Sequence, residues 1–233
     1  MISAVDILKD LRIKHQTKVK SLAVLIDPDK IEVESISKLL KNIPEKTDYI
    51  FVGGSKVENG KTDKIVRSLK SISALPIVLF PGDVNQITPN ADALLFLSLM
   101  SGDNPEYLIH QQVKAVKYLK QTNLEIIPTA YILIDGGKTC TTERITRTKA
   151  IPQSEVQSIV DIALAAQYAG KKLIYLEAGS GARFPIKSEI IKDVRKEIDV
   201  PLIVGGGIRT KKQRQIAYDA GADMVVMGTV FET

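Results

Sequence analysis

Cysteine is almost absent: Cys140 is the only one among 233 residues. An intramolecular disulfide is excluded, and so is a cysteine-rich zinc site, which suits a reducing compartment. No apolar run reaches the ~18 residues needed to cross a bilayer. Asp6, Lys9, Asp10 and Arg12 interrupt the N-terminus where a secretory signal needs an unbroken apolar core. These absences predict a cytoplasmic protein without a transmembrane segment. The two histidines, His15 and His110, are far apart and show no metal-ligand spacing, so both read as surface or helix residues. Five phenylalanines and seven tyrosines form no stacking pattern among basic residues, which argues against nucleic acid as a partner.

Low-complexity tracts are also missing, and 44% hydrophobic with 25% charged residues excludes a largely disordered chain. Thirty-two basic against 27 acidic side chains leave +5, a balance that favours phosphates, nucleic acid or an acidic membrane face. A lysine-rich solvated surface gives the same balance.

Short aliphatic runs recur at 22–26, 49–52, 77–80, 93–97, 126–132, 173–176, 202–204 and 224–227. Most are continuous rather than alternating, as expected of strands covered on both faces. Between them, 31–42, 61–71, 105–122, 154–168, 187–198 and 211–220 place apolar residues at three- and four-residue spacing, the pattern of crossover helices. Eight such strands without a linker predict one domain over 1–233, an α/β protein closed as a (β/α)8 TIM barrel of the usual ~250 residues. The connection 80–93, with Pro81, Gly82 and Pro89, is too short and too broken for a full helix, so an irregular segment replaces the third helix there. The insertion 135–151 falls after strand 5 at the C-terminal face, either as a functional loop or as a mobile one.

Candidate chemistry gathers at the strand ends. Gly205, Gly206 and Gly207 follow strand 7, and Gly228 and Thr229 follow strand 8, the recurrent phosphate position of such barrels. Glu177 ends strand 6 and is followed by Ala178, Gly179, Ser180 and Gly181, placing a carboxylate beside that cradle. It suits a general base, a hydroxyl-binding group or a partner for a rim cation. Asp27 ends strand 1 and Ser55 follows strand 2, close enough to share a hard cation such as magnesium. Asp27 and Asp29 also suit capping of the next helix. A metal-bound diphosphate on one rim and a phosphate monoester on the other describe a two-substrate transferase. A phosphosugar isomerase or aldolase is the alternative, though no strand end clearly presents a Schiff-base lysine. Lys138, Arg144 and Arg147 could cover a diphosphate if the insertion folds inward.

At 25–30, 53–55, 175–182, 205–208 and 228–229 the sequence resembles the geranylgeranylglyceryl phosphate synthase family, which includes heptaprenylglyceryl phosphate synthases. The resemblance spans almost the whole chain and implies a barrel whose third helix is replaced. It implies transfer of a polyprenyl group from its diphosphate to sn-glycerol 1-phosphate, giving an ether-lipid precursor. Asp27 and Ser55 then hold Mg2+. Tyr175, Leu176, Glu177, Ala178, Gly179, Ser180 and Gly181 form the glycerol phosphate segment, and Gly206, Gly207, Gly228 and Thr229 its cradle, with Glu177 receiving the proton. The wording of 125–147 is closer to the geranylgeranyl branch, and Phe96, Leu99 and Met100 are expected to line the tail groove near the missing helix. The resemblance also implies a homo-oligomer, passing membrane contact on product release, and a final helix after strand 8. This sequence ends at Thr233, so cover by another subunit is one expectation for that face.

Overall fold

The computed structural model describes residues 6–228. Eight parallel strands close in sequence order: β1 Ser21–Ile26, β2 Tyr49–Val52, β3 Ile77–Leu79, β4 Ala93–Leu99, β5 Glu125–Leu133, β6 Leu173–Glu177, β7 Leu202–Gly205 and β8 Met224–Met227. Ser21 pairs with Met224, which seals β1 to β8. Every predicted strand is present.

Alternation along each strand divides the core. One set of side chains, including Phe51, Val78, Leu95, Ile127, Tyr175 and Ile203, fills the interior. The intervening residues pack outward, against α6 Val156–Tyr168, α7 Ser188–Glu197 and α8 Lys211–Asp219 on one side. On the other they meet α2 Ile36–Asn42, α3 Lys61–Ile72 and α4 Gln111–Leu119. Burial on both faces is the physical reason for the continuous apolar strand sequences.

A helix that the spacing did not single out, α1 Ile7–Gln16, closes the N-terminal end of the barrel. Ile7 and Leu11 enter the interior cluster, and the Glu125 carboxylate accepts from the Ile7 and Leu8 amides at 2.7 and 2.9 Å. The helix expected over 31–42 starts late. Asp27 caps a short turn at Pro28–Lys30, Ile31 is extended and buried, and a second turn at Val33–Ser35 precedes α2. Ahead of α4, Glu106–His110 winds as a wider π turn.

The third crossover is irregular, with one short turn at Val84–Gln86. Its hold on the barrel is a side chain: buried Gln86 accepts from the Gly54 amide at 3.1 Å and donates to the Gly54 carbonyl at 2.8 Å. β3 pairs with β4 only at Val78–Ala93 and Leu79–Leu94, while β4 runs on to Leu99. Beyond Leu94 the β3 side of β4 is therefore unpaired, and a seam opens toward the C-terminal face.

Candidate active site

The ends of β1, β2, β6, β7 and β8 border one cavity of about 150 Å3. Asp27, Ser55, Tyr175, Glu177, Gly206 and Gly228 all line it. Of the other predicted residues, Gly179, Ser180, Gly181 and Gly207 line it too. The two rims expected to face each other are one continuous arc, because β8 pairs with β1 and Gly228 abuts Leu25. Leu176 and Ala178 do not line the cavity. They alternate outward into the cluster under α6 and α7, so over 175–178 only Tyr175 and Glu177 reach the cavity, whereas Gly179, Ser180 and Gly181 beyond the strand all line it. Thr229 lies outside the described residues.

Glu177 is only 5% exposed and has no cationic partner among the described residues. Burial in a low-dielectric wall disfavours its charge and pushes its pKa up to about 7. Tyr175 beside it and the Gly179 amide, donating to Oε1 at 2.7 Å, pull the value back. The Tyr175 hydroxyl is buried and makes no well-formed hydrogen bond of its own among the described residues. Gly205 and Gly206 let β7 pass this close: a Cβ on Gly205 would lie 2.5 Å from the Tyr175 hydroxyl and 2.7 Å from Glu177 Oε2. Gly179, Gly181, Gly206 and Gly207 have φ of 93, 71, 80 and 70°, so the glycines supply left-handed backbone around an anion-sized space.

On the other part of the arc, a Cβ on Gly54 would lie 2.9 Å from Asp27 Oδ1, so the loop carrying Ser55 rests against that carboxylate. Asp27 Oδ1 also accepts from the Asp29 amide at 3.1 Å, and Lys30 Nζ stands 3.4 Å from Oδ2. Capping and cavity lining thus coexist at Asp27. Asp29 is spent on structure, accepting from the Glu58 amide at 3.1 Å. Among the described residues no group of three His, Cys, Asp or Glu side chains could hold a metal by itself.

Lys30, Lys56 and Arg209 also line the cavity, and the sequence reading missed them. Each stands four positions after the last residue of its strand, Ile26, Val52 or Gly205, which is the signal that could have found them. From the insertion the lining residues are Thr141 and Thr142, at the start of α5 Thr141–Thr146, and not Lys138, Arg144 or Arg147. Ser55 Oγ and Thr142 Oγ1 share a hydrogen bond. Cys140, buried against Gly179 with its thiol pKa pushed up by burial, is unsuited to nucleophilic work.

A second, mostly apolar groove of about 110 Å3 opens from the same site through the seam beside β4. Phe80, Tyr131, Ser55 and Thr142 belong to both spaces. Phe80 stacks on Tyr175 at 5.3 Å and meets Tyr131 at 5.8 Å, making an aromatic floor where polar and apolar regions join. Val84, Ile87, Phe96, Leu97 and Ala115 continue the groove outward between the irregular segment and α4. Phe96 and Leu99 line it as expected, whereas Met100 packs outward against the cluster under α6, α7 and α8.

Residues 14–233 match the PcrB family model. The chain belongs to the PcrB family. Among relatives, the geranylgeranylglyceryl phosphate synthase of Zunongwangia profunda is 50% identical over 213 residues, covering 91% of each chain. Two solved structures share the fold closely. The (S)-3-O-geranylgeranylglyceryl phosphate synthase of Thermoplasma acidophilum, in complex with substrate sn-glycerol-1-phosphate, superposes with TM-score 0.89 at 35% identity, covering 97% of this chain and 91% of its own. The corresponding wild-type protein of Thermoplasma volcanium gives 0.88 at 38% identity, over 96% and 90%. Family membership therefore extends over the whole barrel, cavity and groove included. Among the described residues no helix is long and apolar enough to cross a membrane.

Proposed function

We propose that this protein transfers a prenyl group, of twenty carbons, from its diphosphate to the C3 hydroxyl of sn-glycerol 1-phosphate. The observation that carries the reading is the junction itself: a glycine-walled polar cavity with a buried carboxylate opens directly into an apolar groove. A one-phosphate isomerase has no use for that groove. The names of the relatives support the same pair of reactants.

The backbone amides of Ser180, Gly181, Gly206 and Gly207 suit the phosphate monoester, and the buried Tyr175 hydroxyl beside Glu177 is placed to meet a glycerol oxygen. The C3 oxygen forms a bond to C1 of the prenyl chain while the C1–O bond breaks, its electron pair leaving with diphosphate. Glu177 takes the C3 proton; a pKa of about 7 leaves it half ionised at neutral pH, where a general base works best. Lys30, Lys56 and Arg209 supply cationic cover for the two anions. Phe80 and Tyr131 keep water from C1.

Asp27 and Ser55 fit a magnesium ion: one carboxylate and one hydroxyl, hard oxygens both, suit a cation that keeps water and phosphate oxygens in its shell. When bound it would neutralise charge on the departing diphosphate. Asp27→Asn is expected to abolish turnover and Asp29→Asn to leave most of it, since only Asp27 lines the cavity. Labelled glycerol 1-phosphate incubated with a series of prenyl diphosphates should give an organic-extractable product with the twenty-carbon donor used best. Absence of product with every donor rejects the proposal.

A further inference from the structure

The outer face of the π turn and α4 is both apolar and basic. Ile109 is 53% exposed, Val113 63%, Val116 45% and Tyr118 41%, four large apolar side chains within ten residues. Lys114, Lys117 and Lys120 are interleaved with them, and 111–120 contains no carboxylate. Glu106, the acidic residue of the preceding turn, is already engaged by Lys114, by Gln111 at 2.7 Å and by His110 at 3.6 Å. On a helical wheel Val113, Lys117 and Lys120 run down the middle of the exposed face, with Val116 and Tyr118 at its margins. Mixed lysine and apolar side chains on one face, with an aromatic at the edge, are the composition of a helix that lies on an anionic bilayer.

The inner face of the same element walls the groove through Tyr107, Gln111, Gln112 and Ala115. Gln111 also reaches across the rim, donating to Asp83 Oδ2 at 3.2 Å on the irregular segment. The apolar channel therefore ends beside this basic, apolar surface patch.

The geometry points to the π turn and α4 as a docking element for an anionic lipid surface, which sets the groove's mouth against the bilayer so that prenyl chains pass between the two without crossing water. The inference rests on the proposed occupancy of the groove by a prenyl tail. A second copy of this chain is a poor occupant of the patch, because a two-fold axis would set Lys117 and Lys120 against their own counterparts. An anionic leaflet satisfies the lysines and the valines together.

Flotation of the full-length protein with phosphatidylglycerol–phosphatidylcholine vesicles, compared with phosphatidylcholine alone, tests this. The wild type is expected to float with the anionic vesicles and to be released by salt. Lys117→Glu with Lys120→Glu should cut the partition coefficient about twentyfold or more. Lys192→Glu with Lys196→Glu, an equal charge change on α7, should alter it only a few-fold. Failure of the wild type to float, or equal loss in both double variants, overturns the proposal. So does a change of oligomeric state in the α4 variant by sizing, which would make the patch a contact between copies. Transfer to glycerol 1-phosphate measured in detergent should be unchanged in both double variants. Vesicle binding without any transfer would instead count against the proposed reaction and leave the docking surface standing.

Discussion

Ser55 Oγ and Thr142 Oγ1 stand 2.9 Å apart, joining the end of β2 to the first turn of α5 over the wall shared by cavity and groove. The proposed metal-binding hydroxyl is thus already engaged, and it must exchange that partner for a cation. Thr142→Val removes the competitor without touching the cation's ligands. At about 1 kcal/mol for the lost hydrogen bond, the magnesium concentration for half-maximal turnover should fall roughly fivefold. Ser55→Ala should raise it. Magnesium titrations of the two variants at saturating substrates give the comparison.

Glu177→Gln keeps the acceptor for the Gly179 amide and removes the base. Turnover should drop by about 10²–10⁴. In the wild type, the rate should climb with pH through about 7 as the carboxylate ionises. Stability should run the opposite way. The folded protein holds this proton up to about pH 7 while the unfolded chain releases it near 4.5, so stability falls as pH rises across that window, by roughly 3 kcal/mol at most. Glu177→Gln should flatten that slope in urea titrations at pH 5 and pH 8, leaving a variant more stable than the wild type at the higher pH.

Ala115 is the smallest side chain that α4 offers to the groove, and it is buried. Ala115→Phe fills the space beside Phe96 and should shift preference toward shorter donors. Comparing kcat/KM for ten-, fifteen- and twenty-carbon diphosphates should show the loss confined to the longest, with KM for glycerol 1-phosphate unchanged.

Two glycines of the cavity differ in what a methyl group would meet. At Gly206, with φ 80°, a Cβ would overlap Glu177 Oε1 and come within 2.7 Å of the Ala178 amide. At Gly181, with φ 71°, it meets nothing within 4 Å. Both substitutions to alanine should cost about 1–2 kcal/mol for the left-handed backbone. Only Gly206→Ala displaces the carboxylate, so it alone should lose about 10²-fold in turnover. Thermal unfolding and steady-state kinetics separate the two effects.

Strands were the most legible part of the fold, because a strand buried on both faces must be apolar at every position, and runs such as Tyr49–Val52 admit no other reading. The missing third helix was legible from Pro81, Gly82 and Pro89. Helix α1 was not, since only Ile7 and Leu11 of its ten residues are buried and its role depends on the open barrel end they fill. Over 31–36 the apolar spacing suits a helix, but the Asp27 cap turns the chain first. At the site, Asp27, Ser55 and Glu177 were readable because strand ends converge in a closed barrel. Met100 was misplaced because the direction of a side chain past Leu99 depends on strand parity. The groove's course depends on where β3 stops pairing, which no local pattern records.

The seam between β3 and β4 has one further consequence. Because the groove leaves through that seam, much of the wall that would measure the proposed hydrocarbon falls within residues 84–115, while the polar cavity is lined mainly by the ends of the other strands. Descendants of this scaffold are therefore free to change the lipid they build by remodelling one flank, leaving the acceptor end as inherited.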